Sequence, residues 1–111
     1  MTQNTNQGSI YDYVANTIMD MLVEKNPMFE LDREERIPKI KMQYEKYLES
    51  GLISLLLPRQ YEELQEVIIN NPNDTQKKNE YLVNNIQNFD QKIQALTKEF
   101  IELYSTKIRT M

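Results

Sequence analysis

The chain has 111 residues, with 13 Lys and Arg against 17 Asp and Glu, for a net charge of −4. It contains no cysteine, histidine or tryptophan. Without cysteine there are no disulfides, thiolate nucleophiles or Cys-containing zinc sites; without histidine there is no Ser-His-Asp triad, no Glu-x-x-His di-iron site and no imidazole pH switch.

The length reads as one domain, large enough to hold a core without a metal or disulfides. Hydrophobic residues make up 40% and charged residues 27%, which is ordinary globular usage. The only glycines are Gly8 and Gly51, too few for a phosphate-cradling loop. The opening stretch Met-Thr-Gln-Asn-Thr-Asn-Gln-Gly has neither the basic n-region nor the apolar h-region of a secretory signal. The longest apolar run, Leu55-Leu56-Leu57, is far short of the roughly 20 residues of a membrane span. A soluble cytoplasmic protein is the expectation. Asn and Gln are abundant, which we read as codon bias of an AT-rich genome.

Residues 1–8 are polar and aperiodic and read as a disordered tail, leaving 9–111 as a single helical domain. Ser9 reads as the cap of a first helix over about 10–24, whose stripe is Ile10, Val14, Ile18, Met21 and Leu22. Asn26-Pro27 stops it. Asp32 with Glu35 reads as a capping box for a second helix. Pro38 either opens that helix or kinks a longer one. The stripe Ile37, Ile40, Tyr44, Leu48, Leu52, Leu55 and Leu56 holds its phase through Gly51, predicting a helix that reaches about Leu57.

Pro58 suits the first position of a third helix carrying Tyr61, Leu64, Val67 and Ile68. Asn70-Asn71-Pro72-Asn73-Asp74 is the clearest loop. A fourth helix starts near Thr75, capped by Asn73 or Asp74, with Tyr81, Leu82 and Val83. Asn88 with Gln91 reads as another capping box, opening a fifth helix to about Lys107. Its stripe is Phe89, Ile93, Leu96, Phe100, Leu103, Tyr104 and Ile108. No stretch alternates with a period of two for long enough to be a strand. The expected fold is all-α: a single compact domain, a bundle of about five helices, two of them long.

The run Leu57-Pro58-x-x-Tyr61-Glu62-Glu63-Leu64, then Asn71-Pro72-Asn73-Asp74, then Tyr81-Leu82-x-x-Asn85-Ile86-x-Asn88-Phe89 resembles small all-helical domains of unknown function from candidate-phylum (Patescibacteria-type) bacteria. The resemblance covers about half of the chain and implies helices joined at these points. It implies no activity and carries no functional residues.

Several groups of residues bear on function. The carboxylates Glu34 and Glu35, Glu45 and Glu49, and Glu62, Glu63 and Glu66 could serve a carboxylate enzyme or a hard cation. They fall on or beside polar helix faces, so they read as solvated surface. Tyrosine supplies seven of the ten aromatic residues and is enriched at protein interfaces. Tyr44, Tyr61 and Tyr104 read as half-buried core rims, whereas Tyr11 and Tyr47 lie off the stripes as candidate partner contacts; Met19, Met21, Met28 and Met42 read as core filler or as an adaptable binding surface, with Met19 the third candidate partner contact. The third and fourth helices invite a helix-turn-helix reading, with Gln76, Lys77, Lys78 and Asn79 as nucleic-acid contacts. The acidic balance opposes that reading in both halves of the chain. Five short helices also leave little expected room for a deep pocket.

The sequence thus points to a protein–protein interaction module, not an enzyme, that binds another protein or a second copy of itself. No catalytic, cofactor or metal site is expected. The alternatives are a nucleic-acid-binding or regulatory protein using the fourth helix, and a small carboxylate enzyme.

Overall fold

Proline and asparagine punctuation divides the chain into helices in this computed structural model, which describes residues 5–111, with side chains from Ile10 onward. Among the described residues there are five α-helices and no strand: α1 Thr5–Lys25, α2 Arg33–Ile53, α3 Pro58–Asn70, α4 Thr75–Asn85 and α5 Phe89–Arg109. The all-α class is therefore the observed one. Three helices are long, not two, because α1 has 21 residues, like α2 and α5. Ser9 lies within α1 and not at its start. Of the tail expected over 1–8, residues 1–4 lie outside the described residues and 5–8 fall within the bounds of α1.

Several helix ends follow the sequence punctuation. Pro58 opens α3 after Leu57, which is extended (φ −71°, ψ 158°) as a residue before proline should be. The Leu57 N–H donates to Gln60 Oε1 at 2.9 Å, closing one helix-start donor. Asp74 caps α4 by accepting the Lys77 N–H at 3.2 Å.

Two expected capping boxes do not form. A 3-10 turn over Pro27–Asp32 runs directly into α2, so Arg33 N–H already reaches the Glu30 carbonyl. Asp32 makes no cap bond and instead lies 4.0 Å from Arg36. Asn88 sits in the left-handed region (φ 55°, ψ 46°), not the extended one that capping needs, and its side chain makes no cap bond. That residue turns the chain from α4 into α5.

Pro38 lies inside α2, and Gly51 does not end the helix. The helix stops at Ile53, earlier than the stripe suggests, and tight turns follow through Leu55 N–H to Leu52 O (3.1 Å) and Leu56 N–H to Ile53 O (3.0 Å). The register is lost there, which leaves Leu55 45% exposed instead of in the core.

α1, α2 and α5 form a three-helix bundle. Tyr11 meets Tyr44 on α2, and Asp20 pairs with Arg33 at 2.9 Å, so α1 and α2 are antiparallel. α2 and α5 are antiparallel as well, since Gln43 meets Tyr104 while Tyr47 meets Glu99. The bundle core is Val14, Ala15, Ile18, Met19, Leu22, Ile40, Tyr44, Leu48, Phe100 and Ile108. α3 and α4 form a hairpin against the end of the bundle where α2 finishes and α5 begins. A smaller core of Leu52, Leu64, Leu82 and Ile86 joins them. Ile68 and Leu103, expected inside, are 37% and 49% exposed; each sits at the edge of its stripe with no helix above it.

Candidate functional site

Phe100 is the hub of an aromatic chain through the bundle. Its ring lies 5.3 Å from Tyr44, 5.4 Å from Tyr47 and 5.3 Å from Tyr104, and Tyr44 in turn meets Tyr11 edge-on at 5.4 Å. Such pairs stabilise beyond their burial. Tyr44 is wholly buried, not a rim. Its hydroxyl lies 2.6 Å from Thr97 Oγ1, which donates its own proton to the Ile93 carbonyl at 2.8 Å. Tyr44 is therefore the donor, and a buried phenol is satisfied.

Tyr47, Tyr81 and Tyr104 act as donors too. Tyr47 donates to the Glu99 carboxylate, and that bond, aided by desolvation, pushes its phenol from 10.0 up to about 12. Tyr81 donates to Glu63 Oε1 at 2.5 Å and lies 3.1 Å from the Gln60 carbonyl, tying α4 to α3. Desolvation first and the Glu63 bond second push it up to about 12. Burial also raises Tyr11, with Glu45 adding to it, and raises Tyr44 and Tyr104. All five phenols stay protonated near neutral pH.

Between hairpin and bundle lies an open cleft of about 460 Å³. This is within the range of ligand sites and is larger than five short helices were expected to leave. Tyr44, Leu48, Leu52, Leu82 and Ile93 supply its apolar walls. Glu45 and Glu49 stand on its α2 side, and Lys78 of α4 pairs with Glu49 across it. Among the described residues, no three Asp or Glu gather as a metal site.

The structure separates the residues singled out in the sequence. Met19 is fully buried in the bundle, because its side of α1 faces α2 and α5, and so it offers no contact surface. Tyr11 lines the cleft, whereas Tyr47 lines a different groove between α2 and α5, so the two do not share a patch. Gln76, Lys77 and Asn79 are exposed on α4, but Lys78 is engaged by Glu49. Of the acidic groups, Glu49 and Glu63 are engaged by Lys78 and Tyr81.

The larger feature is the stripe of α3, in which the sequence predicts Leu64 and Ile68 as core and Tyr61 as a half-buried rim. Tyr61, Leu64 and Ile68 recur at steps of three and four on one face of α3, and Leu57 stands just before the helix in extended backbone. Only Leu64 is buried; Leu57 is 65%, Tyr61 44% and Ile68 37% exposed. One signal was available: a stripe of that length on a 13-residue helix needs more than the single short helix α4 to cover it. Met28 and Leu31 also stand exposed on the 3-10 turn.

No protein-family model, curated protein or solved structure matches the chain. Among the described residues no helix is long and apolar enough to cross a membrane.

Proposed function

We propose that the chain is a small helical protein–protein interaction module that binds through the outer stripe of α3. The observation that carries this is the exposure of Leu57, Tyr61 and Ile68 beside a buried Leu64. Apolar side chains aligned on one helix face gain by burial at about 25 cal/mol per Å², and heptad-like spacing suits the stripe of a second helix. The partner is another helical protein or a second copy of the chain. The absence of cysteine suits a reducing, cytoplasmic setting. The candidate-phylum likeness suits a bacterial origin and adds no site residue.

Binding is favoured over catalysis because the shifted phenols are all raised, leaving them as hydrogen-bond donors and not as nucleophiles. It is favoured over nucleic-acid contact because Lys78 is already paired with Glu49 in a chain of net charge −4. The test is a comparative pull-down from the native host, using the wild type and the L57S/Y61S/I68S triple variant. Leu64 stays in place, so the variant should keep its helical circular dichroism. A bound protein should be lost with the variant. If the variant retains the same bound proteins, the α3 stripe is not the binding surface.

A further inference from the structure

Leu96 of α5 packs directly over Gly51 of α2. A Cβ there would stand 2.6 Å from Leu96 Cδ2, so only glycine fits without displacing Leu96. Beside this crossing runs a groove of about 400 Å³ with Ser50, Gly51, Ala95 and Leu96 among its lining residues and no residue of α1 or of the hairpin. Leu96 fills the space beside Gly51, and the small Ser50 and Ala95 add little bulk to the rest of the groove. Lys92 and Glu99 of α5 stand at the rim on either side of Ala95 and Leu96.

The spacing of these two charges is self-complementary. Lys92 lies three residues before Ala95, and Glu99 lies three residues after Leu96. In an isologous interface, if residue i meets j of the partner, then j meets i. An antiparallel approach of two copies, with the two-fold axis between Ala95 and Leu96, sets Lys92 against the partner's Glu99 and Glu99 against the partner's Lys92. A parallel approach sets like charges together. Both groups are available: Lys92 makes no ion pair among the described residues, and Tyr47 engages Glu99 at Oε1, leaving its other carboxylate oxygen open.

We infer that the α2–α5 groove is a two-fold interface between copies of this chain, closing two helix pairs into a four-helix layer with reciprocal Lys92–Glu99 contacts. This rests on the interaction-module reading but assigns self-association to a surface other than α3. Helices of 21 residues are about 31 Å long. With the axis between Ala95 and Leu96, residues 89–102 of α5 overlap their symmetry equivalents, about 21 Å of helix, so the interface falls at the small end of the specific range. The contact is accordingly a weak, transient one.

The test is sedimentation equilibrium of the whole chain across micromolar concentrations, with circular dichroism on each variant. K92E places two Glu–Glu contacts at the axis and should raise the dimer dissociation constant about tenfold, a size set by two symmetry-related surface pairs. E99K should do the same through two Lys–Lys contacts. The double swap K92E/E99K should return to within about threefold of the wild type. If E99K loses helicity along with its Tyr47 bond, K92E alone carries the test, and a K92E dimer as tight as the wild type overturns the interface. A wild type that stays monomeric overturns the interface, as does a double swap no better than either single. A dimer indifferent to K92E but abolished by L57S/Y61S/I68S also overturns it, while leaving the module reading intact. Loss of the charge-swap pattern and loss of α3-dependent capture are thus separate results.

Discussion

The bundle and the hairpin use the same apolar helical stripes with opposite outcomes. In the bundle three helices of 21 residues enclose one another, and ten side chains are buried around an aromatic chain. In the hairpin two helices of 13 and 11 residues share four buried side chains with the end of the bundle. Helices that short are marginal alone and depend on docking for their stability. The difference teaches that a stripe becomes core only where at least two neighbours flank it. Where a single neighbour does, half of it stays on the surface and is free to meet another molecule.

The largest expected effect lies at the bundle hub. Phe100→Ala should destabilise by about 3–5 kcal/mol, since it removes a buried ring touching three others. Urea unfolding measures this, and a loss under about 1 kcal/mol would break the picture of Phe100 as hub.

In the hairpin, Leu64→Ala should cost about 2–3 kcal/mol, at the low end for a buried leucine because the small core can collapse around it. Hydrogen exchange gives the sharper comparison. Amides of α3 and α4 should open together at lower free energy than those of α1, α2 and α5. Equal protection in both regions would mean that the two cores unfold as one.

Pro38→Ala should stabilise the bundle, a change opposite in sign. Proline inside a helix costs about 3 kcal/mol relative to alanine, offset by about 1 kcal/mol from its stiffening of the unfolded chain. Pro38 is exposed, so no packing is lost. A net gain of about 1–2 kcal/mol is expected, read from the rise in the denaturant midpoint. Loss of stability would show that the proline sets the path of α2 between the 3-10 turn and the core.

The smallest effect is alkaline. The phenols of Tyr47 in the bundle and Tyr81 in the hairpin are raised from 10.0 to about 12. Between pH 10 and 12 the folded chain therefore holds protons that the unfolded chain has released. Stability is complete below pH 10 and falls as pH rises through that window. Tyr47→Phe and Tyr81→Phe should each flatten the decline, read as helical signal against pH. If neither does, these two hydroxyl–carboxylate bonds are not formed in solution.

How far the sequence reached differs between the fold and the site. Pro58 at the start of α3, Asp74 as the cap of α4 and the stripe of α5 through Phe100 were legible, since each depends on a few adjacent residues. The capping boxes at Asp32 and Asn88 have the right residue types yet fail, because the backbone at each had already been fixed by a turn. Met19 carried no sign that distinguishes a core methionine from an exposed one. Tyr11 and Tyr47 were both legible as residues off the main stripes, but not as lining separate grooves.

What the sequence alone determined is which segments are helical and which chemistries are impossible. Helical periodicity is a local property, and the absence of histidine and cysteine needs no fold to take effect. Only the tertiary structure decided which stripes close on each other. Burial depends on how many helices flank a face, and that follows from the connections over 26–32, 54–57, 71–74 and 86–88 acting together. Leu64 and Ile68 share one stripe of α3, yet Leu64 is 1% exposed and Ile68 37%. The residue pattern is the same at both, but α4 and the end of the bundle enclose Leu64 and leave Ile68 at their edge.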